Sequence, residues 1–208
     1  VTLIGLPAGG TFNGVGIASN IFSPSVAGQG PHEIKYTYAD ANGCTNFETQ
    51  IVIVNPLPIV DFSVDNMACL GEATILAISS IFPGQNASYS WDFGDGTFAV
   101  GESTTHIYAL PGTYDVTLTA TDIFGCTNSM TNQAIVNNLP MAYFMGNDVC
   151  IGDTTVFNDF SFSTNSNIVS WFWDFGDGNN STLQNPLHVY LQDGTYSVTL
   201  TVTNSFGC

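Results

Sequence analysis

The 208-residue sequence predicts an all-β protein, built as a tandem array of one small domain. Three observations predict it. The word Trp-Asp-Phe-Gly-Asp-Gly occurs at residues 91–96 and again at 173–178, an offset of 173 − 91 = 82 residues. Gly-Cys pairs ending at Cys44, Cys126 and Cys208 keep the same interval, and so do the linker prolines Pro58 and Pro140. No stretch shows a helical apolar period, whereas two-residue alternation recurs throughout. A long fixed period without insertions is the mark of a repeat architecture.

In chain order, Val1-Thr2-Leu3-Ile4 reads as the interior of a strand, and the Gly9–Gly14 stretch takes the place of a middle strand. Ile34, Tyr36 and Tyr38 then alternate with Lys35 and Thr37 up to the turn Asn42-Gly43-Cys44. In the second repeat, Tyr89, Trp91 and Phe93 share one face and Ser90 and Asp92 the other. Gly94-Asp95-Gly96 supplies the positive φ angles of a tight turn. Next, Tyr114, Val116, Leu118 and Ala120 point inward, while Thr113, Asp115, Thr117, Thr119 and Thr121 point outward. Residues 124–126 turn, and 130–136 form a last strand. The third repeat follows suit with Trp171, Trp173 and Phe175, then Tyr196, Val198, Leu200 and Val202. The connections Asn55-Pro56-Leu57-Pro58 and Asn137-Asn138-Leu139-Pro140 are short and semi-stiff. Residues 1–57 thus read as a partial, divergent module, 58–139 as a complete one, and 140–208 as one lacking its C-terminal strand. The whole reads as a piece of a longer array.

Composition excludes several function classes. One Lys and no Arg stand against 17 acidic residues, a net charge of −16. Nucleic-acid phosphates need cations, and an anionic membrane surface repels such a chain, so neither is an expected partner. No apolar run is long enough to insert into a bilayer. Charged residues are only 9% and aromatics 12%, which points to folded cores rather than a solvated tail. Five cysteines in fixed register, the sequons Asn86-Ala87-Ser88 and Asn180-Ser181-Thr182, and almost no Lys fit an exported protein in an oxidising space.

The Gly-x-Tyr-x-Val segments at Tyr114 and Tyr196 resemble the tyrosine corner of immunoglobulin-like domains, with Val116 and Val198 where those domains carry a core cysteine. Trp91 and Trp173 are expected to pack on these valines. Trp-Asp-Phe-Gly-Asp-Gly, then His-x-Tyr, then Gly-Thr-Tyr-x-Val-x-Leu, is similar to the polycystic-kidney-disease (PKD) type of immunoglobulin-like repeat, over about 59–139 and 141–208. The resemblance implies β-sandwiches arranged end to end, with residues 1–57 a divergent sandwich of the same topology. Arrays with Val-Cys-x-Gly-Asp and Asn-Gly-Cys-Thr turns also resemble the giant surface adhesins and secreted repeat proteins of gliding Bacteroidota, exported by the type nine secretion route.

In a sandwich of that topology, the turn holding Cys69 or Cys150 and the turn holding Cys44, Cys126 or Cys208 lie at opposite ends. A strand of about 9 residues separates them by about 30 Å, whereas bonded cysteines need Cα atoms within about 7 Å. An end-to-end array instead brings the bottom of one module to the top of the next. This implies a Cys69–Cys208 bond between modules two and three. Cys44 and Cys126 would then pair with cysteines upstream of Val1, and Cys150 with a module beyond residue 208. Another pairing, or free thiols, are the competing readings.

The PKD likeness also makes Asp92, Asp95, Asp174 and Asp177 candidate calcium ligands, against the plainer reading that they satisfy turn N–H groups. His106 and His188 recur in one register and are expected to cap or pack; His32 matches neither. Trp171 is a candidate sugar platform, although alternation puts it on the core face. Thr154, in Asp153-Thr154-Thr155, is a candidate O-glycan acceptor. Glu33, Glu48, Glu72 and Glu102 form no obvious carboxylate pair, and there is no metalloprotease helix motif or nucleophile elbow. The expectation is therefore not an enzyme but a structural or adhesive segment of a long extracellular, cell-surface repeat protein. Its partners would be neighbouring modules of the same chain, and beyond them surface glycans or other cell-surface proteins. The alternative is an accessory spacer, or a carbohydrate- or protein-binding region, of a secreted hydrolase.

Overall fold

The structure is a computed structural model that describes residues 1–64, 68–79 and 88–208. The sequon Asn86-Ala87-Ser88 has its first two residues outside the described ones. Among the described residues the secondary structure is strand, apart from one four-residue helix, Pro24–Ala27. The chain forms two compact units.

The first unit holds Val1–Val60 together with Thr119–Asn128. Its sheet has three antiparallel strands, Thr11–Asn13, Gly30–Ala39 and Thr45–Val54, the long pair zipped from Gly30 opposite Val54 to Ala39 opposite Thr45. A two-stranded ribbon, Ile17–Ala18 with Ile21–Phe22, stands apart from it. Phe22 and Ile34 are buried. Two expectations are corrected here. The strand expected at residues 1–4 reduces to a single bridge, Thr2 to Ile21. Residues 1–57 form one sheet and a ribbon rather than two facing sheets of the later topology. The segment in place of the Trp-Asp-Phe strand is only three residues long, is flanked by Gly9, Gly10 and Gly14, and carries one large apolar side chain, Phe12, whose ring is tilted against that of Tyr36 at 4.6 Å.

The second unit contains the rest of the described chain, and each of its two sandwiches has its own core. In the first sandwich, one sheet runs in the order Phe98–Val100, Ser88–Asp92, Gly112–Thr121, Thr127–Asn137, Ala68–Cys69. The other runs Ser103–His106, Thr74–Ile78, Phe62–Val64. Alternation drives the inward side chains together, so Trp91, Phe93, Val116, Leu118 and Ala120 are all buried, with Phe62 meeting Trp91 edge-on at 5.1 Å. In the second sandwich, Phe144–Gly146, Thr154–Asp159 and Leu187–Val189 form one sheet, and Asn180–Ser181, Ile168–Asp174 and Thr199–Asn204 the other. Phe157, Trp173, Phe175, Leu200 and Val202 make its core. The expected strand through Tyr196 and Val198 starts instead at Thr199. Gly112–Thr121 has a partner on each side, whereas among the described residues Thr199–Asn204 pairs only with Ile168–Asp174, so its first residues lack a ladder to join.

The repeated turn depends on glycine at one position per copy. Gly94 and Gly176 both have φ of 77°, and a Cβ on either would lie 2.7 Å from a backbone carbonyl oxygen, of Asp115 or of Ser197. Only glycine tolerates both the left-handed backbone and that approach.

Candidate functional site

Two features are the candidates for function: an aspartate–histidine column that recurs in register in each sandwich, and the junction between the sandwiches.

The column starts at the tight turn. Asp92 Oδ1 accepts the Gly94 N–H, and Asp95 Oδ1 accepts both the N–H and the hydroxyl of Thr97. His106 donates from Nε2 to Asp95 Oδ2 at 2.6 Å, and its ring stacks flat on Phe93 at 4.1 Å. Tyr108 meets His106 edge-on at 4.5 Å and stacks on Tyr114 at 4.0 Å. The copy is almost superimposable in its numbers. Asp174 accepts from Gly176 and Asp177 from Asn179, His188 donates to Asp177 Oδ2 at 2.8 Å, and Phe175, His188, Tyr190 and Tyr196 follow at 4.1, 4.6 and 4.0 Å. Tyr114 and Tyr196 each close a corner by donating their hydroxyl to the carbonyl four residues upstream, Leu110 and Gln192, at 2.8 and 2.9 Å. Tyr108 and Tyr190 donate to the carbonyls of Phe93 and Phe175.

This arrangement answers the calcium question. The aspartates turn their oxygens onto turn N–H groups and onto histidine, and among the described residues no three His, Cys, Asp or Glu side chains gather as a metal cage would require. The residues present do not fit a calcium ion. Their chemistry is hydrogen bonding, and it is pH-dependent. Burial alone pushes the Asp95 and Asp177 carboxyls up, but hydrogen bonds from Thr97 and His106, and from Asn179 and His188, outweigh it and hold both below the ordinary carboxylate range. A depressed folded value means stability that is present above the ordinary pKa and lost as pH falls through the depressed one. Melting temperature measured below about pH 4 should therefore fall less steeply in Asp95→Asn/Asp177→Asn than in the parent. At the alkaline end, burial first and the Asp95 charge second push Tyr108 up to about 12 from 10.0. That contribution is intact below pH 10.0 and is lost as pH rises towards about 12. Tyr108→Phe should remove this part of the alkaline loss, read from denaturant midpoints across the same window.

The junction is built from backbone pairing, an amide and a disulfide. Ala68–Cys69 runs parallel to the end of the Thr127–Asn137 strand, with Val136 opposite Ala68 and Asn137 opposite Cys69. The Leu70 N–H donates to Asn137 O at 2.9 Å, and Glu72 Oε2 accepts the Cys69 N–H, which closes the Cys-x-Gly-Glu turn on itself. The linker that follows is held from the other sandwich, where Asn204 donates from Nδ2 to Asn138 O at 3.1 Å. Cys69 and Cys208 are bonded, with Cα atoms 5.6 Å apart. Cys44, Cys126 and Cys150 are free, Cys44 and Cys150 being exposed.

One determinant of this junction escaped the sequence reading. Each Gly-Cys turn is shaped by the residue four before its cysteine. Asp40 Oδ1 accepts the N–H groups of Asn42 and Cys44, Asp122 Oδ1 those of Phe124 and Cys126, and Asn204 Oδ1 those of Phe206 and Cys208. The signal was available, since Asp40, Asp122 and Asn204 keep the same period as the cysteines. Asn204 is buried, and as an amide it has the Nδ2 donor for Asn138 that an aspartate lacks.

The remaining candidates are placed as follows. Trp171 is half-buried against the core and donates from Nε1 to Asp159 Oδ2 at 2.7 Å, so its ring edge is tied inward. Asp159 went unnoticed in the sequence; hydrogen bonds from Ser161, Trp171 and Gln184 overcome its burial and lower its pKa. Thr154 is the exposed first residue of its strand, while its neighbour Thr155 is buried with no hydrogen-bond partner for its hydroxyl oxygen. His32 stands apart from the other histidines, its Nε2 2.8 Å from Gly28 O. No helix among the described residues is long and apolar enough to cross a membrane.

Comparison with known proteins places these features in a family. The PKD domain family matches residues 55–136 and 137–208. Collagenase ColA of Bacillus cereus is 53% identical over 45 residues, 22% of this chain and 5% of that protein. The microbial collagenase of Vibrio alginolyticus is 41% identical over 75 residues, 35% of this chain and 9% of that protein. The chain therefore spans less than a tenth of the length of these relatives. Among solved structures, the PKD1 domain of Vibrio anguillarum Epp shares 29% identity, covering 41% of this chain and all of that domain at a TM-score of 0.37. The two tandem family matches run over well more than half of the sequence, and the chain belongs to the PKD domain family.

Proposed function

We propose that this chain is a non-catalytic, load-bearing segment of an extracellular repeat protein, a stalk, adhesin or filament in which PKD modules of about 58–139 and 140–208 hold a distant functional part in position. The observation that carries this reading is the junction. Cys69 and Cys208 tie the two matched modules covalently, and Asn204 and Asn137 order the linker between them. A linker left free would let the modules tumble. One that is bonded, paired and capped keeps them in register under load. Exposed hydroxyl and amide faces with net charge −16 suit a segment that is to stay soluble and unattached along its length. Exposed Thr154 is the proposed O-glycan acceptor on that surface.

Protease challenge tests the reading. Thermolysin at neutral pH should leave the oxidised chain intact across residues 137–140 and cut there after reduction. Equal cleavage of both forms would remove the junction from the account.

A second reading is favoured by the relatives, two of which are named collagenases. On it, the chain is an accessory region that holds a hydrolase near its substrate. Co-sedimentation of the purified chain with fibrillar collagen separates the two: a structural spacer stays in the supernatant, and saturable binding selects the accessory role.

A further inference from the structure

The long antiparallel pair of the first unit has an inner and an outer face. Ile34 is buried on the inner one. On the outer one the register sets Glu33 beside Ile51, Lys35 beside Thr49, Thr37 beside Phe47 and Pro31 beside Ile53. One period later the same outer positions are polar and satisfied within the chain. Gln133, the counterpart of Ile51, donates from Nε2 to Asp115 Oδ1 at 3.1 Å. Thr117 and Thr131, the counterparts of Lys35 and Thr49, share a hydrogen bond of 2.8 Å. In the first unit Phe47, Ile51 and Ile53 make this face apolar while 59, 68 and 65% exposed. The face is a surface in the complete sandwich too, where Gln133 is exposed and Ile135 is 40% exposed. Lys35, the only Lys in a chain without Arg, lies over the stripe with Nζ 3.9 Å from the Phe47 ring centre. Among the described residues it makes no ion pair. Residues 1–60 hold Glu33, Asp40, Glu48 and Lys35, a net 1 − 3 = −2, so the remaining residues carry −16 + 2 = −14. Two copies of the chain therefore repel each other least through this unit.

We propose that this outer face pairs two copies of the chain side by side through an isologous two-fold interface. The charge pattern selects the occupant. Glu33 and Lys35 project from one face two residues apart, about 6.6 Å along the strand. Consider a two-fold axis that lies between two facing sheets and crosses the strands midway between these residues. It sets Lys35 against the partner's Glu33, and Glu33 against the partner's Lys35. The same operation sets Ile53 against the partner's Phe47 and Ile51 against the partner's Thr49. The apolar stripe is thus covered as two reciprocal ion pairs form. A wholly acidic partner would meet Lys35 but oppose Glu33, whereas a copy of the same face answers both. Two ten-residue strands offer a patch of about 33 by 10 Å. That is below the size of permanent interfaces, so the pairing is reversible and weak. This goes beyond the load-bearing reading, which needs one chain only.

The test uses the whole 208-residue chain, with Cys44, Cys126 and Cys150 blocked by iodoacetamide so that covalent dimers cannot form. Sedimentation equilibrium at about 50 mM salt should give a reversible monomer–dimer equilibrium with Kd between about 10 and 500 μM. Lys35→Glu should weaken it at least about tenfold, because both ion pairs become like-charge contacts. Adding Glu33→Lys to that variant exchanges the two charges and should restore Kd to within about threefold of the parent. Ile51→Gln/Ile53→Gln should also weaken pairing at least about tenfold, because the apolar cover is gone. Recovery in the charge-swapped chain shows that the single variant lost an ion pair and not its fold. Monomer alone up to about 1 mM, or a dimer indifferent to Lys35→Glu or to the paired isoleucine changes, would overturn the proposal. So would failure of the swapped chain to recover, or assembly beyond the dimer, since a two-fold interface closes on itself.

Discussion

Stretched from its two ends, the reduced chain should lengthen by about 460–500 Å more than the oxidised one. The bond from Cys69 to Cys208 encloses a sequence separation of 139 residues, and an extended chain spans about 3.3–3.6 Å per residue. While the bond holds, force applied at the termini bypasses residues 70–207, which take in almost all of the second match and all of the first beyond Cys69. Single-molecule force spectroscopy with and without reductant reads the difference directly. The measurement also discriminates between connectivities. A Cys69–Cys126 bond would hide 126 − 69 = 57 residues, about 190–205 Å at the same rise, and equal lengths would mean no bond at all. In equilibrium unfolding, Cys69→Ser should cost about 2–4 kcal/mol, because the constraint acts chiefly on the unfolded ensemble. The variant should keep its β-sheet circular dichroism, since the strands of both sandwiches pair without the disulfide.

Trp173→Ala should cost about 3–5 kcal/mol, as large-to-small changes at buried aromatics do. Trp173 has no exposed surface, and Phe144 and Phe157 lie against it at 5.0 and 5.5 Å. Its Nε1–H also donates to Leu183 O at 2.9 Å, so truncation leaves a cavity and takes away a hydrogen bond in one step. Trp91 has the same role one period earlier, donating to Gly101 O at 2.9 Å, and Trp91→Ala should behave alike. Trp171→Ala should cost less, since Trp171 is only half-buried at the edge of the same core. Denaturant titration of the three variants orders them, and a Trp171 effect as large as that of Trp173 would contradict this account of the core.

Strand identity was legible because alternation and burial are the same statement made twice. Residues 112–121 read as a strand with Tyr114, Val116, Leu118 and Ala120 inward, and the last three are buried while Tyr114 turns to its corner. The turn at Gly94 was legible because glycine adopts a left-handed backbone most readily. Other features were hidden for physical reasons. Residues 1–57 carry good alternation at Ile34, Tyr36 and Tyr38, yet alternation does not say whether a second sheet exists to cover it. The strand expected through Tyr196 begins at Thr199. Asp122 and Asn204 were not singled out, although their oxygens shape the cysteine turns.

The sequence by itself determined the period, the all-β class and the inward face of each long strand, because those follow from local spacing and from which residues avoid water. Only the tertiary structure decided for Cys69–Cys208 over the competing pairings, and set each histidine between an aspartate and a phenylalanine ring. Each of these joins residues far apart in the chain, and the free energy that selects them comes from packing and pairing across the fold, which no local pattern encodes.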